Sequence, residues 1–170
     1  MIPIFENGHG KGLGYTFKTF SARFESICQE HLADKHAGAF AFIFYDFTNK
    51  DLSRILEDKD VFAQLDRLAG TRLSIFYLHA GSRATVEAFN SKFLSVLGIA
   101  EKVSLPCVVF FKIVNDRIED IAVAQLDNAD IIHGFHELYS VIERNQLNEG
   151  EGAIKWAKIG QSSSGLKFFV

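Results

Sequence analysis

Ser104-Leu105-Pro106-Cys107-Val108-Val109-Phe110-Phe111-Lys112-Ile113 is the stretch on which the reading of the fold turns. Proline has no N–H to give to a sheet ladder, so at the head of an apolar run it marks the place where a strand begins. The run behind it lacks polar alternation, the pattern of a strand covered on both faces. Asn115-Asp116 then supply a turn, and Arg117–Gln125, with Ile118, Ile121, Val123 and Ala124, read as a second strand folding back. The segment is predicted to be a β-hairpin entered through Pro106.

Working upstream, Gly38–Phe47 is dense in aromatic and aliphatic residues and reads as the first core strand. Thr48 and Asn49 are N-cap candidates for a helix marked by Leu52, Ile55, Leu56, Phe62, Leu65 and Leu68, with Gly70 as its stop. The charged cluster Glu57-Asp58-Lys59-Asp60 reads as a solvated corner within it. Arg72–His79 is the second strand, and Val86, Phe89, Phe93, Val96 and Leu97 mark the helix after it. Downstream of the hairpin, Ile131, Ile132, Phe135, Leu138, Tyr139 and Ile142 give a helix over about 128–144, with Asp127 or Asn128 as its cap. From Gly38 the order is therefore β-α-β-α-β-β-α, whereas a doubly wound nucleotide-binding sheet would continue βαβα.

This order resembles the thioredoxin fold. The resemblance is carried by Leu105-Pro106 ahead of Val108-Val109-Phe110-Phe111-Lys112, where thioredoxins have a cis-proline followed by a strand of the form LLLFK, and it covers residues 38–144. It implies an α/β three-layer sandwich flanked by an N-terminal segment, 1–37, and a C-terminal extension, 145–170, all in one globular unit. In family enzymes a CxxC motif sits at a strand–helix junction, because the helix N-terminus lowers the first thiol's pKa. Counting forward from strand 72–79, that place falls near Gly81-Ser82-Arg83-Ala84, which hold no cysteine. The resemblance thus implies a redox-inactive member. It also implies an extended-peptide groove beside the proline, with Ser104, Leu105 and Pro106 as its backbone wall and His79, Ser82 and Arg83 as further binding residues of the same groove.

Composition narrows the function classes further. The 170 residues, 48% hydrophobic and 23% charged, suit one domain of ordinary size, and the core leans on 17 Phe against one Trp and one Met. A net charge of −3 without a basic stripe argues against nucleic acid. No basic segment followed by an apolar core opens the chain, and no apolar run approaches the roughly 20 residues that span a bilayer. The expected compartment is the cytoplasm, without membrane contact. Cys28 and Cys107 are far apart in apolar surroundings and read as free buried thiols.

The residues able to carry chemistry are few. At the junction after strand 72–79, Ser82 is a hydroxyl or nucleophile, Arg83 an anion clamp and His79 a base; equally, Ser82 is a natural N-cap, Arg83 a solvated first-turn residue and His79 a surface imidazole. A small anion at Ser82/Arg83 is the ligand this corner suits. Cys107 is the candidate reactive thiol, although a place at the start of a buried strand favours an inert one. His133 and His136 lack the spacing and further ligands of a metal site, so no metal and no cofactor is expected.

Both ends of the chain lie outside the resemblance. Gly8, Gly10, Gly12 and Gly14 match neither GxGxxG nor GxxxxGK[ST] and read as a flexible loop. Phe17, Phe20, Phe24, Ile27, Cys28 and Leu32 recur at helical spacing, predicting an amphipathic helix over about 16–35 that packs on the sheet or meets a partner. Ile154–Ile159 is expected to add an edge strand, and Leu166-Lys167-Phe168-Phe169-Val170 to pack beside it, in the same chain or a neighbouring one. Taken together, the expected function is non-catalytic protein binding or self-association, through the groove beside Pro106 or the terminal extensions. The competing class is a thiol- or glutathione-dependent enzyme using Cys107 or Ser82.

Overall fold

Ile2–Phe5 (β1) and Tyr15–Thr16 (β2) lead into the helix Phe17–Ala33 (α1), followed by Ala39–Phe44 (β3) and Leu73–His79 (β4). Arg83–Val96 (α2), Cys107–Val114 (β5), Arg117–Leu126 (β6), Ile131–Asn148 (α3) and Leu166–Phe169 (β7) complete the described elements. The computed structural model describes residues 1–6, 14–34, 38–46, 73–148 and 166–169, the last stretch and 144–148 by backbone alone. The helix expected over 48–70, the glycines at 8, 10 and 12, and the strand expected at Ile154–Ile159 lie outside the described residues.

The strands form one mixed sheet in the order β2-β1-β4-β3-β5-β6-β7. β1, β3 and β4 run parallel, and β5 enters antiparallel to β3 with Phe44 opposite Cys107. The chain is thus α/β. The centre is held by β3, buried along its whole length, and β4, buried from Leu73 to Leu78, as expected of segments dense in apolar and aromatic residues.

Alternation along the strands sorts the helices onto the two faces. Phe40, Phe42, Phe44, Ser74, Phe76 and Phe111 point one way, where Phe20 and Phe24 of α1 and Phe89 and Phe93 of α2 meet them. Ala41, Ile43, Ala124 and Leu126 point the other way, and Leu126 closes on Gly134 of α3, where an added Cβ would stand 3.3 Å from its side chain. The helical stripe read in residues 16–35 is therefore intramolecular. Thr16 caps α1 by accepting the Thr19 N–H at 3.0 Å, and the helix kinks at Arg23.

The hairpin falls where the sequence places it. Asn115 and Asp116 both adopt positive φ, 49° and 60°, the conformation that a two-residue turn matched to strand twist requires and that Asn and Asp tolerate. The Leu105-Pro106 bond is cis. The N-terminal segment contributes more than a helix, since β1 pairs with β4 from Ile2↔Phe76 to Phe5↔His79. Gly14 has a packing reason: a Cβ there would lie 2.7 Å from the Pro3 carbonyl oxygen. At the far edge it is Leu166–Phe169 that adds a strand, pairing with β6 from Val123↔Phe169 to Leu126↔Leu166 within the same chain.

Candidate functional site

The end of the sheet where β1, β3 and β4 finish and β5 begins collects the candidate residues, and it divides them into two neighbourhoods. β3 lies between β4 and β5. Strands are spaced about 4.8 Å apart, so the β4–α2 corner sits two strand spacings, about 10 Å, from the strand that Pro106 introduces. His79, Ser82 and Arg83 therefore lie across β3 from the strand that follows Ser104, Leu105 and Pro106. Phe44 stands opposite Cys107, so the residues that leave β3 at the proline's end are Tyr45 and Asp46. Sequence order does not show which parallel strand borders the hairpin.

The β4–α2 corner is built around a carboxylate from another strand. Glu6, directly after β1, accepts the N–H of Gly81 at 2.9 Å and of Ser82 at 3.1 Å, and its other oxygen accepts the Thr85 hydroxyl at 2.6 Å. These are the orphan amides of the α2 N-terminus, and an acidic group there also meets the positive end of the helix dipole. The Thr85 hydroxyl is the leading influence that holds the Glu6 carboxyl below its ordinary value, helped by the two amides and opposed by desolvation. The place where a small anion was expected is thus taken by the chain's own Glu6.

Ser82 is spent as the cap of α2, accepting the Thr85 N–H at 3.3 Å. Arg83 turns outward and pairs with Glu87 at 2.7 Å, the main reason its guanidinium pKa is raised. The exposed His79 ring lies against Phe5, with centroids 5.9 Å apart, and makes no hydrogen bond to Ser82. The three residues form no nucleophile–base pair, which needs hydrogen-bond reach.

Around Pro106 the arrangement is different. Ser104 is exposed, Leu105 half-buried and Pro106 buried. The Leu126 N–H of β6 reaches the Pro106 carbonyl at 3.1 Å, and among the described residues Ser104 and Leu105 are met by side chains. The Gln125 side chain accepts the Ser104 N–H at 3.1 Å and donates to the Ser104 carbonyl at 2.6 Å and to the Pro106 carbonyl at 2.9 Å. Asn128 donates to the Leu105 carbonyl at 3.3 Å. Behind this edge, Tyr45 donates its hydroxyl to the Leu78 carbonyl at 2.7 Å, and Asn90 donates to the Tyr45 carbonyl at 2.8 Å. Those two buried bonds fix the exit of β3 beside the proline.

Cys107 is fully buried, and burial pushes its thiol up to about 12; Cys28 in α1 is equally buried and shifted further in the same direction. Both are free. Among the described residues no group of His, Cys, Asp and Glu is arranged to hold a metal ion, and no helix is long and apolar enough to cross a membrane. His133 pairs with Glu137 along α3 at 3.4 Å.

No functional role for Glu6, Tyr45, Asn90 or Gln125 is legible in the sequence, and Asn128 reads there only as a helix cap. Glu6 finds its partners 75 to 79 positions away, so nothing local marks it. Gln125 carried a faint signal as the one polar residue between Ala122 and Leu126. No protein-family model matches the chain, and neither curated proteins nor solved structures give a significant match to it.

Proposed function

We propose that the chain is a non-catalytic, thioredoxin-like binding module that takes an extended segment of a partner polypeptide along Ser104-Leu105-Pro106. The observation that carries this reading is a backbone edge at the end of the central sheet, exposed at Ser104, whose Ser104 and Leu105 groups are met, among the described residues, by the side chains of Gln125 and Asn128 and not by a strand. Such an edge offers the alternating donors and acceptors that extended peptides pair with. The order β4-β3-β5-β6, with α1 and α2 on one face and α3 on the other, supports the thioredoxin-like assignment.

The same order moves the comparison with family enzymes. The junction bordering the proline is the one after Phe44, and Tyr45-Asp46-Phe47-Thr48 contain no cysteine. The change of place leaves the redox-inactive reading as it was. The enzyme alternative loses support from burial, since a thiol held near 12 presents almost no thiolate at neutral pH.

The test is selection of short unstructured peptides from a displayed library on the intact protein, followed by amide chemical-shift mapping. Expected perturbations centre on Ser104, Leu105, Gln125 and Asn128. Peptides that map elsewhere, or no binders at all, reject the groove. Titration of native thiols with an aromatic disulfide tests the alternative, which requires rapid labelling of Cys107 at neutral pH.

A further inference from the structure

Gln125 does at the groove what a bound peptide would do. Its side-chain amide meets Ser104 at two points, accepting from the N–H at 3.1 Å and donating to the carbonyl at 2.6 Å. This is the donor–acceptor pair that one residue of an extended antiparallel strand presents to the residue opposite it. A third bond, to the Pro106 carbonyl at 2.9 Å, is shared with the backbone N–H of Leu126 and so remains partly satisfied if the amide leaves. Ser104 has no such reserve among the described residues.

We infer that Gln125 is a built-in placeholder: its amide closes the groove in the free protein, and a partner segment binds by exchanging its own peptide N–H and C=O for that amide on Ser104. The inference rests on the groove reading proposed above. Three features favour displacement over a fixed structural bond. The contacts with Ser104 lie at an exposed position, where water can replace either partner during the exchange. Among the described residues no strand claims the Ser104 N–H and carbonyl, so removing Gln125 leaves that pair of groups able to pair at once. And a swap of one amide for another is close to neutral in hydrogen bonding, so affinity is decided by what the partner's flanking side chains add.

A consequence is selectivity against weak peptides. The placeholder is present at an effective concentration no free peptide matches, and the affinity of a binder is reduced by the fraction of time Gln125 spends away from Ser104. Gln125 is thus a positioning and gating residue, with no part in bond making or breaking.

The experiment compares the intact wild type with Gln125→Ala and Gln125→Glu, using the peptides selected on the wild type as the probe. In the absence of peptide, the Ser104 amide is expected to exchange with solvent about tenfold faster in Gln125→Ala, and the selected peptides to bind it on the order of tenfold more tightly while restoring Ser104 protection. Gln125→Glu keeps the length and one acceptor but sets a carboxylate against two carbonyls; it is also expected to bind more tightly, and provides the readout if the alanine variant does not fold. Equal or weaker peptide binding by both folded variants, with shifts still at Ser104, overturns the placeholder and leaves the groove intact. Shifts confined to another surface overturn both.

Discussion

Phe42→Ala is expected to be among the most damaging single substitutions in this chain. Phe42 is fully buried at the middle of β3 and touches seven other rings, Phe20, Phe24, Phe44, Phe76, Phe89, Phe93 and Phe111, at centroid separations of 5.3 to 5.8 Å. A phenyl ring that buries about 200 Å² gains roughly 5 kcal/mol at about 25 cal/mol/Å², of which alanine keeps only the β-carbon share. Measured Phe→Ala losses in cores run about 3–5 kcal/mol, and the upper part of that range applies where neighbours have no room to collapse inward. Here the neighbours are rings from two helices and three other strand positions, held by each other, so the cavity persists. For a chain of this size the loss corresponds to a melting temperature lower by roughly 6–20 °C, at about 2–4 °C per kcal/mol. Urea unfolding of wild type, Phe42→Ala and Phe42→Leu supplies the assay, with the leucine variant expected to lose less than about 1.5 kcal/mol. A loss below about 2 kcal/mol for Phe42→Ala, with the denaturant slope unchanged, refutes the claim that this ring cluster is the centre of the core.

Glu6→Gln is expected to remove a pH-dependent part of the stability. Because the folded-state carboxyl titrates below its ordinary value of 4.5, its contribution is full above that value and fades as pH falls through the folded pKa. Wild type and variant should therefore differ at neutral pH and converge in acid; curves that stay parallel exclude the clasp at the α2 N-terminus. Asn90→Leu strands the buried Tyr45 carbonyl and is expected to cost about 1–3 kcal/mol, visible in thermal unfolding, while an unchanged midpoint means that the bond contributes nothing net. Deleting 166–170 uncovers the outer edge of β6, so amides within 123–126 should exchange faster and the melting temperature fall. Unchanged exchange there argues that β7 adds no protection.

Burial makes the two thiols a simple check on the whole arrangement. With Cys107 held near 12 and Cys28 shifted in the same sense, neither should react in the native state at neutral pH, and both should react on unfolding. Rapid native labelling of either thiol contradicts the packing of β5 or α1.

The sequence by itself determined the elements whose causes are local. Pro106 opens β5, Asn115-Asp116 turn the hairpin, Thr16 and Ser82 cap their helices, and the phenylalanine spacing of 17–32 makes an amphipathic helix, because each of these depends on backbone chemistry within a few residues. What only the tertiary structure decided is which of these elements lie side by side. Parallel strands carry no sequence mark of their neighbour, so the insertion of β3 between β4 and β5, and with it the separation of Ser82 and Arg83 from Pro106, had no local signal. The same holds for the polar pairs. Glu6 with the α2 N-terminus and Gln125 with Ser104 are joined across loops or strands. Lys112, nearly buried, meets Asp120 at 2.9 Å because a bulge in the hairpin turns Asp120 to a φ of 52°. Periodicity reports which face of an element is apolar; hydrogen bonds between residues distant in sequence exist only once the sheet order is set.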